Sequence, residues 1–104
     1  MFLAKVEGAV VATKKDLSMN GRKLLLLRPQ LVDDKDPSKF RPGPNTVVAV
    51  DSVGAGTGEL VLFTQGSSAR LAPNMKDAPV DAVIIGIVDS VDVLGKQIFN
   101  ARSQ

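Results

Sequence analysis

Short apolar runs separated by polar, glycine-containing or proline-containing segments extend along the whole chain. In segment 1–13, β-branched and small residues alternate roughly with polar ones, which predicts a strand, and Gly8 predicts a bulge or strong bend within it. Four consecutive leucines in segment 22–32 favour a helix by propensity. However, Pro29 and the Asn-Gly hairpin signal at 20–21 leave too little room for one, so the pattern predicts a second strand.

The remaining apolar runs predict further strands separated by two loops. Strands are predicted over 46–52, 59–64 and 83–93, with a turn at 95–96 and a last edge strand or extended tail over 97–100. The segments 33–45 and 73–79 are rich in proline and charged residues, so both are expected to be loops. The first of them is expected to be the most mobile part of the domain.

One short helix is predicted after the 59–64 strand. Ser67 is a good N-cap for a helix over 68–72, and Pro73 prevents its continuation. A helical turn over 80–82 is expected to lead into the next strand.

These elements predict a single all-β domain over residues 1–104, a small five- to six-stranded OB-like β-barrel with one short α-helix. The helix between the fourth and fifth predicted strands suits such a barrel. A parallel α/β sheet would need several helical crossovers, which the sequence lacks.

The apolar runs are nearly continuous where a lone small barrel should alternate. The strands of such a barrel have one face in water, so every second residue should be polar. The runs at 24–27, 47–50, 60–63 and 83–88 break this rule. One short helix cannot cover four strands, so the pattern predicts an oligomer with outer barrel faces packed between subunits.

The composition excludes several kinds of catalytic and metal-binding site. The chain has no cysteine and no histidine, which excludes disulfides, thiol nucleophiles and thiolate metal sites, and removes the commonest general base. The net charge is +2, and Lys and Arg are concentrated in the first half without forming a dense nucleic-acid-binding cluster. No run is long enough to span a membrane and the N-terminus lacks a signal-peptide pattern, so a cytoplasmic location is expected.

Three glycines at alternate positions define the glycine loop, residues 54–59. Gly54, Gly56 and Gly58 indicate unusual backbone angles or close backbone approach. A phosphate cradle is one interpretation, but the spacing fits neither a Walker motif nor a dinucleotide fingerprint, and Glu59 would repel phosphate. The favoured interpretation is a tight connection between strands, packed against a neighbour.

Other candidate sites have structural interpretations that are favoured over chemical ones. Ser67, Ser68 and Arg70 could form a nucleophilic site, but no base accompanies them; helix capping, with Arg70 paired to Glu59 or Asp81, is favoured. Asp51, Asp89 and Asp92 could bind a hard cation, yet they lack the close spacing of a metal loop. The basic residues at 14–15 and 22–23 could contact nucleic acid, but exposed aromatic stacking residues are missing and a solvated hairpin is favoured.

The sequence resembles a known family in several blocks that cover most of the chain. AVDSVGAGTGELVLFTQGSSAR, followed by PVDAVIIGIVDSV, is closely similar to the EutN/CcmL family of bacterial microcompartment vertex proteins. The blocks VEGAVVATKK and GRKLLLLRPQ near the N-terminus are also similar. The resemblance excludes the 33–45 loop and the C-terminal tail.

The resemblance implies a structural, non-enzymatic protein without a cofactor. It implies a homopentamer that occupies the fivefold vertices of a cytoplasmic polyhedral shell, among hexameric and pseudohexameric shell proteins, with no nucleic-acid or membrane partner. Residues expected at a subunit interface or in loop packing are Asp51, Gly54, Gly56, Gly58, Glu59, Ser67, Ser68 and Arg70. Residues expected on a rim facing the hexamers are Lys14, Lys15, Arg22, Lys23 and Arg41.

Overall fold

The structure, a computed structural model, describes residues 1–13, 15–72 and 80–103. Over these residues the chain forms eight strands: β1 (Phe2–Val10), β2 (Lys23–Val32), β3 (Phe40–Pro42), β4 (Val47–Asp51), β5 (Leu60–Gln65), β6 (Ala82–Ile87), β7 (Ser90–Val93) and β8 (Lys96–Asn100). Three short 3₁₀ helices lie at Leu17–Met19, Gly66–Leu71 and Ala101–Ser103. None of the helices in this part of the chain is long and apolar enough to span a membrane.

Five strands close a barrel in the order β1-β5-β6-β4-β2, and β2 pairs back to β1. The neighbours are antiparallel except for β4 and β6, which are parallel at Val50 opposite Val83 and Asp51 opposite Ile84. Strand β3 extends the sheet by pairing with the end of β2, and β7 and β8 form a separate hairpin. The predicted all-β, OB-like barrel is therefore confirmed.

The bulge predicted at Gly8 is confirmed. The register between β1 and β2 shifts between Val6 and Gly8, so β1 bends where it passes from one part of the barrel wall to the next. The strands predicted over 22–32, 46–52 and 59–64 agree with β2, β4 and β5 to within one or two residues at each end.

The structure corrects three predicted element boundaries. The 33–45 segment contains strand β3, and the 83–93 run is two strands, β6 and β7. Val88 donates its amide to the carbonyl of Leu60, the first residue of β5. Beyond Val88, β5 offers no further residue for β6 to pair with, so the chain turns although its apolar pattern continues. The helical turn predicted over 80–82 is wrong, since Ala82 already belongs to β6.

The predicted helix is present, but it is a 3₁₀ helix over Gly66–Leu71 rather than an α-helix over 68–72. Its N-cap position is held by Gln65 without a side-chain hydrogen bond, so Ser67 is not the cap. The Gly66 amide donates to the carbonyl of Asp81, and Gly66 has a φ of 71°. This bond to the residue before β6 starts the helix two residues earlier than a Ser67 cap would. The predicted 73–79 loop lies outside the described residues.

Side chains from all five barrel strands fill the interior. The core residues are Ala4, Val6, Leu25, Leu27, Ala49, Ala55, Val61, Phe63, Ala82 and Ile84. A second cluster lies outside the barrel wall, where Ala69 of the Gly66–Leu71 helix covers Val50 and Val83, with Leu24 packed against them. Both faces of β4 and β6 are therefore buried at this position.

The rest of the outer wall is not covered in the same way. Leu26 and Val48 are paired on neighbouring strands, on the opposite face from Leu25 and Ala49. Val48 is 46% exposed and Leu26 is partly exposed. As expected from the continuous apolar runs, the short helix covers only part of the wall.

Candidate functional site

The glycine loop joins β4 to β5 and lies against the barrel core. Ala55 is buried in the same cluster as Phe63 and Leu25. Because one apolar methyl group of the loop is inserted into the core, the position of the loop depends on the packing of the barrel.

The carboxylate of Asp51 organises the start of the loop. Its side chain is 2% exposed. Oδ1 accepts hydrogen bonds from the amides of Val53 (3.0 Å) and Gly54 (3.2 Å), and Oδ2 accepts one from the amide of Ala55 (2.9 Å). These are charge-assisted bonds to backbone donors, which are stronger than bonds between neutral groups. Three successive backbone amides are thereby fixed by one side chain.

Lys23 of β2 completes this arrangement. Its Nζ lies 3.9 Å from Oδ2 of Asp51 and donates a hydrogen bond to the carbonyl of Ala55 (3.1 Å). Lys23 is also directly opposite Asp51 in the β2–β4 pairing. The ammonium group therefore links the loop to the neighbouring strand, and it balances the charge of the buried carboxylate.

Glu59 holds the other end of the loop. Its Oε1 accepts a hydrogen bond from the Gly56 amide at 2.6 Å, and its own amide donates to the Gly56 carbonyl at 3.1 Å. The backbone of Val6 in β1 accepts from the amide of Gly58 and donates to the carbonyl of Glu59. The loop is thus fastened to β1 beside the bulge at Gly8.

Two of the three glycines are required by backbone conformation. Gly54 has a φ of 81° and Gly58 a φ of 91°, in the left-handed region that favours glycine. A Cβ at either position would meet no atom within 4 Å, and one at Gly56 would meet only Oε1 of Glu59, at 3.4 Å. The prediction of unusual backbone angles is confirmed at two positions. Within one subunit, no close approach requires glycine, so packing against a neighbour stays a prediction.

The same geometry argues against a phosphate cradle. The four amides from Val53 to Gly56 that could face an anion already donate to the carboxylates of Asp51 and Glu59. A bound phosphate would have to displace two carboxylates and would then be repelled by them. The carboxylates of Asp51 and Glu59 already bind the amides that an anion would need.

Ser52 and Lys23 contribute to this site in ways that the sequence reasoning missed. The Ser52 hydroxyl donates to the carbonyl of Ile84 in β6 at 2.6 Å, so the loop is also fastened to the parallel neighbour of β4. An Asp at the end of a strand, shortly before a glycine, is a local signal for the amide capping by Asp51, but no local signal indicates the bond from Ser52 to β6. Nothing in the sequence indicated the role of Lys23, which depends on cross-strand register.

The other predicted interface residues are not brought into this network as far as the structure describes them. Ser67 is exposed in the Gly66–Leu71 helix. The side chains of Ser68 and Arg70 lie outside the described residues, so the predicted pairing of Arg70 with Glu59 or Asp81 stays a prediction. Among the described residues, no three acidic side chains come together as a metal site.

The basic residues predicted to form a rim are spread along the molecule. Lys15 donates to the carbonyl of Ala12, and Nε of Arg22 donates to that of Ser18. Arg41 lies on β3 opposite Leu31, with its guanidinium 3.9 Å from a carboxylate oxygen of Asp34.

Arg41 and Lys23 lie at opposite ends of β2. Arg41 is paired with Leu31, which is eight residues from Lys23 along this strand. At about 3.3 Å per residue this separation is about 26 Å, so Arg41 is not in one patch with Lys23. Lys14 lies outside the described residues.

We expect Asp51→Asn to destabilise the subunit by about 1–3 kcal/mol, because the amide nitrogen of asparagine cannot accept the bond from Ala55. It would also place an NH₂ group beside the Lys23 ammonium. The measurement is urea unfolding followed by circular dichroism. Asp92→Asn, the same change at an exposed position of β7, is the control and should stay within about 0.5 kcal/mol of the unmodified protein. Equal stability of the two variants would contradict the organising role of Asp51.

Comparison with known proteins gives a consistent result across sequence and structure. The family model described as "Ethanolamine utilisation protein EutN/carboxysome" matches residues 1–89. The carboxysome shell vertex protein CcmL of Gloeobacter violaceus is 43% identical over 104 residues, which is 100% of this chain and 98% of that protein. The microcompartment shell vertex protein PduN of Salmonella typhimurium is 48% identical over 91 residues, covering 88% of this chain and 98% of PduN.

Solved structures agree with these matches. The structure of Gloeobacter violaceus CcmL superposes with a TM-score of 0.84, covering 98% of this chain and 99% of that one. GrpN of Rhodospirillum rubrum, described as a pentameric microcompartment shell protein, is 41% identical with a TM-score of 0.73, covering 90% of this chain and 99% of GrpN. Since the family model matches most of the chain and the relatives match it nearly end to end, this protein belongs to the EutN/CcmL family.

Proposed function

We propose that the protein is a structural shell component that forms homopentamers at the fivefold vertices of a bacterial microcompartment. The observation that carries this proposal is the match to vertex proteins over the full length of the chain, at 43% identity to CcmL of Gloeobacter violaceus. The chain has every part of the fold of that relative, and the pentameric GrpN has the same fold.

The mechanism is geometric. A layer of hexagonal tiles is flat, and a closed polyhedral shell needs units with fivefold symmetry where its facets meet. A ring of five identical subunits supplies that symmetry when each subunit uses two different surfaces, one for each neighbour. The partners in the facets would be hexameric and pseudohexameric shell proteins.

The exposed surface of the barrel supports assembly. Leu26 and Val48 form an apolar strip on the outer wall, and apolar area contributes roughly 25 cal/mol per Å² when it is buried. Val53 is 39% exposed beside Gly54, at the edge of the glycine loop. An apolar side chain next to glycines suits a surface that a neighbouring subunit approaches closely.

A nucleic-acid-binding function is less well supported. Single-strand binding needs exposed aromatic rings on the barrel surface together with a basic groove. Phe63 is buried in the core, whereas Phe2 is 49% exposed and packs against Phe63 with ring centroids 5.5 Å apart. The five barrel strands therefore carry one exposed ring rather than a row of stacking rings. The basic residues described above are distributed over opposite ends of β2 rather than along one groove.

An enzymatic function has no supporting constellation among the described residues. The amides of the glycine loop are already bonded to carboxylates, and the sequence contains no histidine or cysteine. We therefore propose a role in the shell that depends on shape and surface rather than on chemistry.

Native mass spectrometry of the purified full chain tests the proposed function. We expect a dominant species of five copies without nucleic acid or ligand. Co-expression with a hexameric shell protein should give closed particles, whereas the hexamer alone should give sheets, tubes or unclosed shells. A stable monomer would refute the proposal, and so would co-purification with single-stranded nucleic acid in a salt-sensitive complex.

We expect Gly56→Ala to weaken the pentamer by at least about tenfold in the concentration at which half the chains are assembled. Within one subunit the added methyl group meets only Oε1 of Glu59, so a large effect would report contact with a neighbour. Gly58 is unsuitable for this test, because its φ of 91° would strain any other residue. Gly8→Ala, where a Cβ meets no atom within 4 Å, is the matched control. Equal assembly of both variants would show that the glycine loop lies away from the interface.

Lys14 and Lys15 are proposed to lie on the rim that faces the hexamers, where complementary charge affects the rate and fit of association more than its strength. We expect Lys14→Gln combined with Lys15→Gln to reduce incorporation into shells while leaving the mass of the pentamer unchanged. Incorporation is measured as the ratio of pentamer to hexamer in purified particles. Lys35→Gln combined with Lys39→Gln, two exposed residues between β2 and β3, removes the same number of charges and serves as the control. Loss of the pentamer itself would place these lysines between its subunits instead.

A further inference from the structure

The β7–β8 hairpin has one apolar face that its own barrel covers only loosely. In β7, Val91 and Val93 alternate with polar residues, and Val91 lies opposite Phe99 of β8. Such alternation is typical of a sheet with one buried face. However, these three side chains are only partly buried, and Leu94 at the hairpin turn is 84% exposed.

All of the buried apolar side chains described in this structure lie between Ala4 and Ile84. The hairpin therefore contributes nothing to the core of the barrel. A two-stranded hairpin is at best marginally stable in water unless its apolar face packs against something else. The face of the β7–β8 hairpin needs a further surface to become buried.

An open cleft of about 200 Å³ separates the hairpin from the barrel. Phe99 and Ile98 line it from β8, Phe40 from β3 and Leu60 from β5, with the polar groups of Lys5 and Gln30 at its edge. An apolar cavity of about 150 Å³ is large enough to hold a benzene molecule, so this cleft has room for one large apolar side chain.

The hairpin belongs to a shared fold although it lies beyond the region that defines the family. The family model ends at residue 89, just before Ser90. The solved CcmL structure from Gloeobacter violaceus nevertheless superposes over 98% of this chain. The hairpin therefore lies within the part of the fold that this chain shares with that CcmL structure.

We propose that the β7–β8 hairpin is an arm that packs onto the adjacent subunit, which fills the cleft with an apolar side chain. The inference rests on the proposed pentamer. A second copy of this chain is the favoured occupant, because a closed ring requires two unlike surfaces on each subunit. The chain has two such surfaces. One is the apolar face of the hairpin, and the other is the barrel wall at Leu26 and the exposed Val48.

Site-specific photo-crosslinking in the full chain tests this contact. A benzophenone amino acid replaces Phe99, which lines the cleft, or Gln97, which is exposed on the opposite face of the same strand. We expect position 99 to give a ladder of covalent species with up to five copies, and position 97 to give none. Adducts confined to one chain, or formed only with an added hexameric shell protein, would overturn the proposal.

A second measurement uses a matched pair of substitutions, Phe99→Asp and Gln97→Asp. Native mass spectrometry over a dilution series should show that Phe99→Asp raises the half-assembly concentration by at least about tenfold, while Gln97→Asp leaves it unchanged. The barrel should stay folded in both, as judged by circular dichroism, because its core excludes the hairpin. If the unmodified chain is monomeric, the proposed function fails; if it is pentameric and both variants assemble equally, only the arm is refuted.

Discussion

The buried carboxylate of Asp51 is the interaction on which the arrangement of the barrel end depends. Along the backbone, Asp51 is the residue that lies opposite Lys23 of β2 and beside Ile84 of β6. Its side chain fixes the amides that begin the glycine loop, and this holds Ala55 in the core. A buried charge is tolerated only when it is paired and hydrogen-bonded, so strand register, loop shape and core packing must all be correct together.

The barrel is small, and this determines how its apolar residues are distributed. Few side chains fit inside five short strands, so much of the apolar surface of each strand faces outward. The Gly66–Leu71 helix covers the outer side of Val50 and Val83, but no described residue covers the wall at Val48 or the face of the β7–β8 hairpin in the same way. The proposed pentamer would bury these outer surfaces by association rather than by additional chain.

The strands and the bulge could be predicted from sequence because their signals are local. Alternation in β1, the interruption at Gly8 and the alternate glycines of the glycine loop all act within a few residues. The resemblance to the EutN/CcmL family added the assembly, which no local pattern specifies. Continuous apolar runs conflict with a solvated barrel wall, and the exposed Val48 lies on such a run; packing of this wall between subunits stays a prediction.

Features that depend on distant pairing could not be predicted in this way. The 83–93 run divides into β6 and β7 because β5 begins at Leu60, and the short β3 exists because β2 extends past the barrel to pair with it. Lys23 belongs to the glycine loop network through cross-strand register, although its position in the sequence resembled a solvated hairpin. The 3₁₀ helix begins at Gly66 because of a bond to Asp81, which lies in another part of the chain.

The strand order has a consequence for how the protein is made. β6 is inserted between β5 and β4, although it is the last barrel strand to be synthesised. Until Ile87 has left the ribosome, β4 and β5 keep unpaired edges and the barrel stays open. A chain that terminates early therefore cannot present a finished wall to other subunits. Closure of the barrel therefore depends on the strand that is made last, and the wall on which another subunit would pack forms only when β6 is in place.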